Sequence, residues 1–453
     1  MAFVCIVGGG ISGCMLARQQ VRAGHRVLLL EKEAQLGGLA RTFRYGDFRF
    51  DIGPHRFFTN DPQVEALLGE VFGEDLLRIP RRSEVYFCGK YHTWPLRPTT
   101  VFKLPPRTTL RALGDLLRTS LSTRSLGEAS FETYILEHYG PSLYHAFFKD
   151  YTEKFLGLPA GELHADWARE GMRRVMIDER LAHRELLDIL ALMLRFNPPP
   201  TWCWYPPEGI GSFCERLGSS LSRSGVTILP ATRVQALTVR RGAIEALHCE
   251  GETHHPERVI WTGPLAECAE LLQLSAQGLS TVALLCYNLE LSAPPLRHFQ
   301  WCYYGSPGLL FSRISIPSEF SPTLTPPGHG SLCVELTTRQ GSALWHQPEQ
   351  VLPTLLRQLV QVGILTDTRH VLAVHCERIA DAYPLYHRGY QVQRDRVLAS
   401  LATIGNLRLA GRGGRFWYNN MDDCIAATFD AEERATSSPP DLAPDRLARR
   451  AAP

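Results

Sequence analysis

The chain has 453 residues, with 48 Lys and Arg against 46 Asp and Glu for a formal charge of +2, and 44% hydrophobic and 21% charged residues. This is the balance of a folded globular protein, too apolar for a disordered chain and without the basic excess of a nucleic-acid groove. At about 150 residues per domain, the length allows roughly three core-forming units.

Residues 3–7 (Phe-Val-Cys-Ile-Val) form an apolar run of strand length, as a parallel strand buried on both faces requires. The run enters Gly8-Gly9-Gly10-Ile11-Ser12-Gly13 and then a helix-forming stretch, and a second apolar strand over 26–30 ends at Glu31. Strand, glycine turn, helix, strand and acid make a βαβ unit with the G-x-G-x-x-G spacing. Gly8 permits the tight turn, Gly10 lets the backbone approach a pyrophosphate, and Gly13 lets helix and strand pack closely. The first-turn amides, at Ile11 and Ser12, direct the positive end of the helix dipole at phosphate. Glu31, 23 residues after Gly8, is placed to accept both ribose hydroxyls. Three glycines alone specify only a turn; the strands, helix and acid around them specify nucleotide binding.

Residues 105–196 read as helical, ended by Asn197-Pro198-Pro199-Pro200. Short strands follow over 226–229, 234–239, 244–249 and 258–261, then alternating segments over 282–289, 300–304, 309–316 and 332–336, and a last buried strand over 407–410. The fold class expected is α/β. A discontinuous Rossmann-like nucleotide-binding domain takes residues 1–100, 200–275 and 375–432, a helical substrate-binding insertion takes 101–199, an antiparallel-sheet substrate domain takes 276–374, and 433–453 form a disordered tail. Val234, opening the 234–239 strand, joins the candidate cofactor contacts. The apolar-leaning helix over 181–196 is interrupted by Arg184, Glu185, Asp188 and Arg195, too short and too charged to span a bilayer. The twelve cysteines include no C-x-x-C pair and scatter through core-like segments, as in a reducing compartment, and no leader-like pattern opens the chain. The expected location is the cytoplasm. His254-His255 has no third ligand at metal spacing, so no metal site is expected.

Lys32-Glu33-Ala34-Gln35-Leu36-Gly37-Gly38-Leu39-Ala40-Arg41-Thr42 resembles the extension of FAD proteins of the amine oxidase, protoporphyrinogen oxidase and UDP-galactopyranose mutase group, in which the Gly-Gly pair runs past the flavin. The resemblance implies FAD, contacted by Lys32, Gly37, Gly38 and Leu39 as well as the glycine turn. Gly53-Pro54-His55-Arg56-Phe57-Phe58-Thr59 is similar to the Gly-Pro-His-x-Phe-His-Thr stretch of the bacterial mutases, and 411–422 to their C-terminal Gly-Arg…Tyr…Met-Asp segment. Tyr151-Thr152-Glu153-Lys154-Phe155-Leu156-Gly157, Tyr205-Pro206-Pro207-Glu208-Gly209 and Tyr383-Pro384-Leu385-Tyr386 add further matches, so the likeness spans about residues 3–431. Phe58, Trp417 and Asn419-Asn420 depart from the mutase pattern close to where flavin and sugar would meet, and put substrate identity in question.

What the resemblance implies is a mutase-like ring isomerisation of a nucleotide-linked or phosphorylated sugar through the reduced flavin N5, with an electron donor such as NAD(P)H to reduce the flavin. The alternatives are an FAD oxidoreductase abstracting hydride, as in protoporphyrinogen oxidase or amine oxidases, and a flavin protein without turnover. Arg313 aligns with a diphosphate-binding arginine, against the plain reading of a solvated strand residue. Arg173 and Arg174 stand where a second such arginine belongs, or form a surface pair. Tyr418 occupies the offset of a phosphate-contacting tyrosine, and Tyr383 and Tyr386 are further substrate contacts; each is otherwise an aromatic of a core or strand edge. Gly411, Arg412, Asn420 and Met421 are implied flavin neighbours. His55 belongs beside the isoalloxazine or in the core. Trp202, Trp204 and Tyr205 could stack a flat group or pack the core. His55, Arg313 and Tyr418 are the catalytic candidates. All of this requires that the glycine turn and the Gly411 segment meet in space.

Overall fold

The computed structural model describes residues 1–94, 106–120, 130–172 and 201–433. Strand β1 (Phe3–Val7), helix α1 (Ile11–Arg22) and strand β2 (Arg26–Leu30) form the expected unit. β1 lies at the centre of a five-stranded sheet in the order Leu407–Leu409, Arg258–Trp261, β1, β2, Thr227–Leu229, and every neighbouring pair is parallel. Val4, Cys5, Ile6 and Leu29 are completely buried: α1 and the helix Ser212–Arg223 pack on one face, and the strands Val234–Arg240 and Ala243–Cys249 with the helix Leu265–Leu271 pack on the other. The nucleotide-binding sheet is thus assembled from the start of the chain, the 227–261 region and the end, as the apolar runs indicate.

A second sheet has seven strands in the order Val371–Pro384, Thr281–Leu291, Gly330–Thr338, Arg313–Ser315, Trp301–Tyr304, Ser83–Phe87, Lys90–Trp94. It is antiparallel except where Trp301–Tyr304 runs parallel to Ser83–Phe87. The boundaries expected from sequence shift accordingly. The hairpin at 83–94, assigned to the nucleotide-binding part, and most of Val371–Pro384 are strands of the second sheet. Their alternation shows a half-buried strand but not which sheet it joins.

Within the helical insertion, Phe131–Leu143 bends at Gly140 (φ +76), ahead of Pro141, and continues through a π-helical turn at Tyr144–Phe148 into Lys149–Leu156. That last helix ends on Gly157 in the left-handed region. The expected helix over 181–196 and, from residue 434 on, the expected tail lie outside the described residues. All twelve cysteines are free, most of them buried. Among the described residues no helix is long and apolar enough to cross a membrane, and no group of His, Cys, Asp and Glu could hold a metal ion. His254 ends a short strand, Thr253–His254.

Candidate active site

The first part of the site is built on the glycine turn. A Cβ at Gly13 would overlap the Gly8 carbonyl oxygen, so α1 and β1 approach as closely as they do only because residue 13 has no side chain. α1 begins at Gly10 with no side chain capping it, which leaves its first-turn amides to an external acceptor. Glu31, buried at the end of β2, accepts from the Gly9 N–H at 2.6 Å and the Glu33 N–H at 2.8 Å, and its carboxylate is fixed beside the turn. Gly37 donates to the Gly9 carbonyl at 2.9 Å, and Gly38 lies against Gly10. From the other end of the chain, Gly411 (φ +73) abuts Ser12: a Cβ there would lie 2.8 Å from the Ser12 Cβ and Oγ. Met421 belongs to the same buried apolar cluster as Ile11 and Ala40. An uncapped helix N-terminus, a ribose-height carboxylate and two glycine segments crossing the same turn fit the adenine-nucleotide half of FAD.

Not every candidate lies at this turn. Leu39 is half-buried against the Phe48–Asp51 strand, Lys32 is exposed 3.8 Å from Glu267, and Val234 is a core residue paired with Cys249. Asn420 is exposed, and its N–H donates to Asp423 at 2.8 Å.

The second part is a cluster of cations and aromatic rings. Arg313 makes a bidentate pair with the fully buried Glu335, both contacts 2.6 Å, and donates to the Tyr383 hydroxyl at 3.0 Å. Arg412 donates to the Asn419 carbonyl at 2.9 Å and the Ala382 carbonyl at 2.6 Å. Its guanidinium lies 5.1 Å from the ring centre of Tyr383 and 4.9 Å from that of Tyr418. Tyr418 stacks on Trp167 at 4.7 Å. Burial pushes the Tyr383 hydroxyl up to about 12, so it stays protonated. Burial, then Arg313 and Arg412, hold His55 down to about 3. His55 is therefore neutral at physiological pH, and its Nδ1 has no partner.

The loop carrying His55 is held from behind. Asp51 accepts from Thr42 Oγ1 and Tyr205 Oη, each at 2.7 Å, and from the Ile210 N–H at 3.1 Å, while burial raises its pKa to about 6. Tyr205 is therefore a core residue. Tyr386 also belongs to the core: its hydroxyl accepts from the Tyr418 N–H at 2.8 Å and donates to the Phe416 carbonyl at 3.2 Å. Arg173 and Arg174 lie outside the described residues.

Sequence reasoning missed Glu335 and Trp167. Glu335 had a readable signal, since a lone carboxylate inside the apolar strand Gly330–Thr338 needs a buried cation; Trp167 had none. Beyond Tyr151 a cavity of about 290 Å³ is lined by Trp94, His145, Phe147, Asp150, Tyr151 and Tyr303.

The model of the family described as "Flavin containing amine oxidoreductase" matches residues 11–428. The chain belongs to this family. It is an FAD-dependent enzyme of the flavin-containing amine oxidoreductases. A crystal structure of reduced UDP-galactopyranose mutase superposes with a TM-score of 0.78 at 19% identity, covering 96% of this chain and 97% of that one, which shows the shared fold. A probable UDP-galactopyranose mutase of Klebsiella pneumoniae is 28% identical over 168 residues, 36% of this chain and 43% of that protein. A coproporphyrinogen III oxidase of Mycobacterium bovis is 37% identical over 106 residues, 22% of this chain and 23% of that protein. The matched stretches thus span under half the length of these curated relatives.

Proposed function

We propose that this flavoenzyme acts on an anionic small molecule, a nucleotide-linked or phosphorylated sugar, in a ring isomerisation of the UDP-galactopyranose mutase type. The observation carrying this reading is the charge of the cluster: two guanidiniums, Arg313 and Arg412, act on a neutral His55, and only Arg313 is paired with a buried carboxylate, Glu335. A net positive site with aromatic walls attracts a phosphate and repels a protonated amine. FAD would supply a ring nitrogen that is a nucleophile when reduced and a hydride acceptor when oxidised. The protein's own residues hold and orient. Glu335 fixes Arg313 through Nε and Nη2, which leaves the Nη1 N–H groups for an anion oxygen. Backbone carbonyls fix Arg412, and Tyr383 and Tyr418 form a wall whose hydroxyls can donate.

One observation favours a second reading. The Arg313 charge is already matched by Glu335, which weakens its hold on a diphosphate and suits an oxidoreductase taking a flat, carboxylate-bearing substrate among Trp167, Tyr383 and Tyr418. The deciding experiment incubates dithionite-reduced holoenzyme with UDP-galactose and measures furanose by chromatography. Furanose formed by the reduced and not the oxidised enzyme is expected. Absence of furanose, together with bleaching of the oxidised flavin by a porphyrinogen, overturns the isomerase reading in favour of hydride abstraction.

A further inference from the structure

Between the strands Trp301–Tyr304 and Arg313–Ser315 the chain makes a loop, 305–311, in which the carbonyls of Ser306, Leu309 and Phe311 converge on one nitrogen. That nitrogen is Lys154 Nζ, which donates to them at 3.0, 3.4 and 2.9 Å respectively. Lys154 belongs to a different element, the helix Lys149–Leu156 of the insertion, and its own carbonyl accepts from Thr337 Oγ1 at 3.3 Å. Phe311 lies two residues before Arg313 and Thr337 two after Glu335, so one lysine reaches both chain segments of the buried ion pair. Its helix also carries rings that pack at the cluster: Tyr151 lies 5.7 Å from Tyr303 and Phe155 5.0 Å from Tyr383, between ring centres. The other side of the loop is tied by Gln358, which accepts from the Leu310 N–H and donates to the Gly308 carbonyl, each at 2.8 Å.

Three acceptors around one side-chain nitrogen require three N–H donors, which lysine has only as the ammonium. The charge acting on it is that of Asp150, one turn earlier on the same helix, and burial outweighs it, bringing Lys154 down to about 8. The other charges on the elements packed around it are committed elsewhere. Lys149 pairs with Glu153 at 2.7 Å, Glu335 with Arg313, and Arg339 donates to the Gly157 carbonyl at 3.2 Å. The loop 305–311 itself has no titratable side chain. As pH rises through about 8 the nitrogen thus loses a donor and its charge while its three acceptors stay in place.

We propose that Lys154 is a positioning residue of the active site: its ammonium latches the 305–311 loop to the helical insertion and thereby sets Arg313 and the Tyr383 wall for an anionic ligand. The latch is independent of what the site binds; its effect on the ligand rests on the anion reading of the cluster.

The test compares FAD-loaded wild type, Lys154→Arg and Lys154→Met at pH 7 and pH 9. In this window His55, at about 3, Asp51, at about 6, and Tyr383, at about 12, each hold essentially one charge state. Hydrogen exchange of the Leu309, Leu310 and Ser312 amides, corrected for its intrinsic pH dependence, reads the latch. Wild type should lose protection about tenfold between pH 7 and pH 9, the loss expected for one charge-assisted hydrogen bond. Lys154→Arg, which stays charged, should be equally protected at both pH values. Lys154→Met should be as open at pH 7 as wild type is at pH 9. Affinity of the oxidised enzymes for UDP-galactose, whose diphosphate keeps its charge over this window, reads the positioning and should fall about tenfold in the same samples. If Lys154→Met folds poorly, wild type against Lys154→Arg decides alone. Wild-type protection that is the same at both pH values, or that falls equally in Lys154→Arg, overturns the latch. A loop that opens with no loss of affinity overturns the positioning role. Absence of UDP-galactose binding at both pH values, with the loop behaving as expected, overturns the anion reading and with it the ligand half of the proposal, and leaves the latch standing.

Discussion

His55 is a histidine that the fold keeps neutral. Burial disfavours its charge, and the guanidiniums of Arg313 and Arg412 add to that, so its folded pKa of about 3 lies below the ordinary histidine value. Between the two values the unfolded chain binds the proton and the native chain does not. This contribution is fully present above about pH 6.5 and is lost as pH falls toward 3. Asp51 works in the opposite sense: burial raises its carboxyl to about 6, so its contribution is present at low pH and is lost as pH rises through that value. The overall pH slope therefore identifies neither group, whereas a difference does. Denaturant unfolding followed by circular dichroism at pH 6.5 and at pH 4.5 should show wild type losing more stability on acidification than His55→Gln. Equal losses in the two proteins would mean that His55 titrates normally and does not face the arginines.

At the scale of elements, the convergence of distant segments rests on Gly411. Its φ of +73 is strained for any other residue, and a Cβ would also press on Ser12 at the start of α1. Gly24 is the natural control, with φ +79 but open space around a Cβ. Both Gly411→Ala and Gly24→Ala should lower stability, by about 1–2 kcal/mol from the backbone alone. Only Gly411→Ala should also lower the flavin-to-protein ratio read from the visible spectrum. An unchanged ratio would separate the Gly411 turn from the cofactor. The parallel strands and this crossing were legible because continuous apolar runs and glycines at fixed spacing carry their own physical reasons. The second sheet was not, because Ser83–Phe87 pairs with Trp301–Tyr304, more than two hundred residues later, and alternation marks a face without naming a partner. The cation cluster was half legible. Arg313 and Tyr383 stood out by resemblance, but the ion pair that holds Arg313 depends on Glu335, whose register opposite it only the folded sheet supplies.

For the whole molecule, the nucleotide end of the parallel sheet exists only when chain ends far apart in sequence have met. β1 pairs with Arg258–Trp261, which pairs in turn with Leu407–Leu409, and Thr262 Oγ1 donates to the carbonyls of Val7 and Gly8, each at 3.0 Å. Such pairings cost loop-closure entropy before they return contact energy. A ligand gripped by all of these segments binds the folded chain and not the unfolded one, so it must stabilise by mass action. Free FAD at one hundred times its dissociation constant should add about 2.7 kcal/mol, and each further tenfold about 1.4 kcal/mol. Thermal unfolding of flavin-stripped protein across a titration of FAD should accordingly give a midpoint that climbs with the logarithm of FAD concentration above saturation. A midpoint that stops rising once the site is filled would mean that the unfolded chain binds FAD as well, and a midpoint unmoved from the outset would mean that the glycine turn and the Gly411 segment close on each other without the cofactor between them.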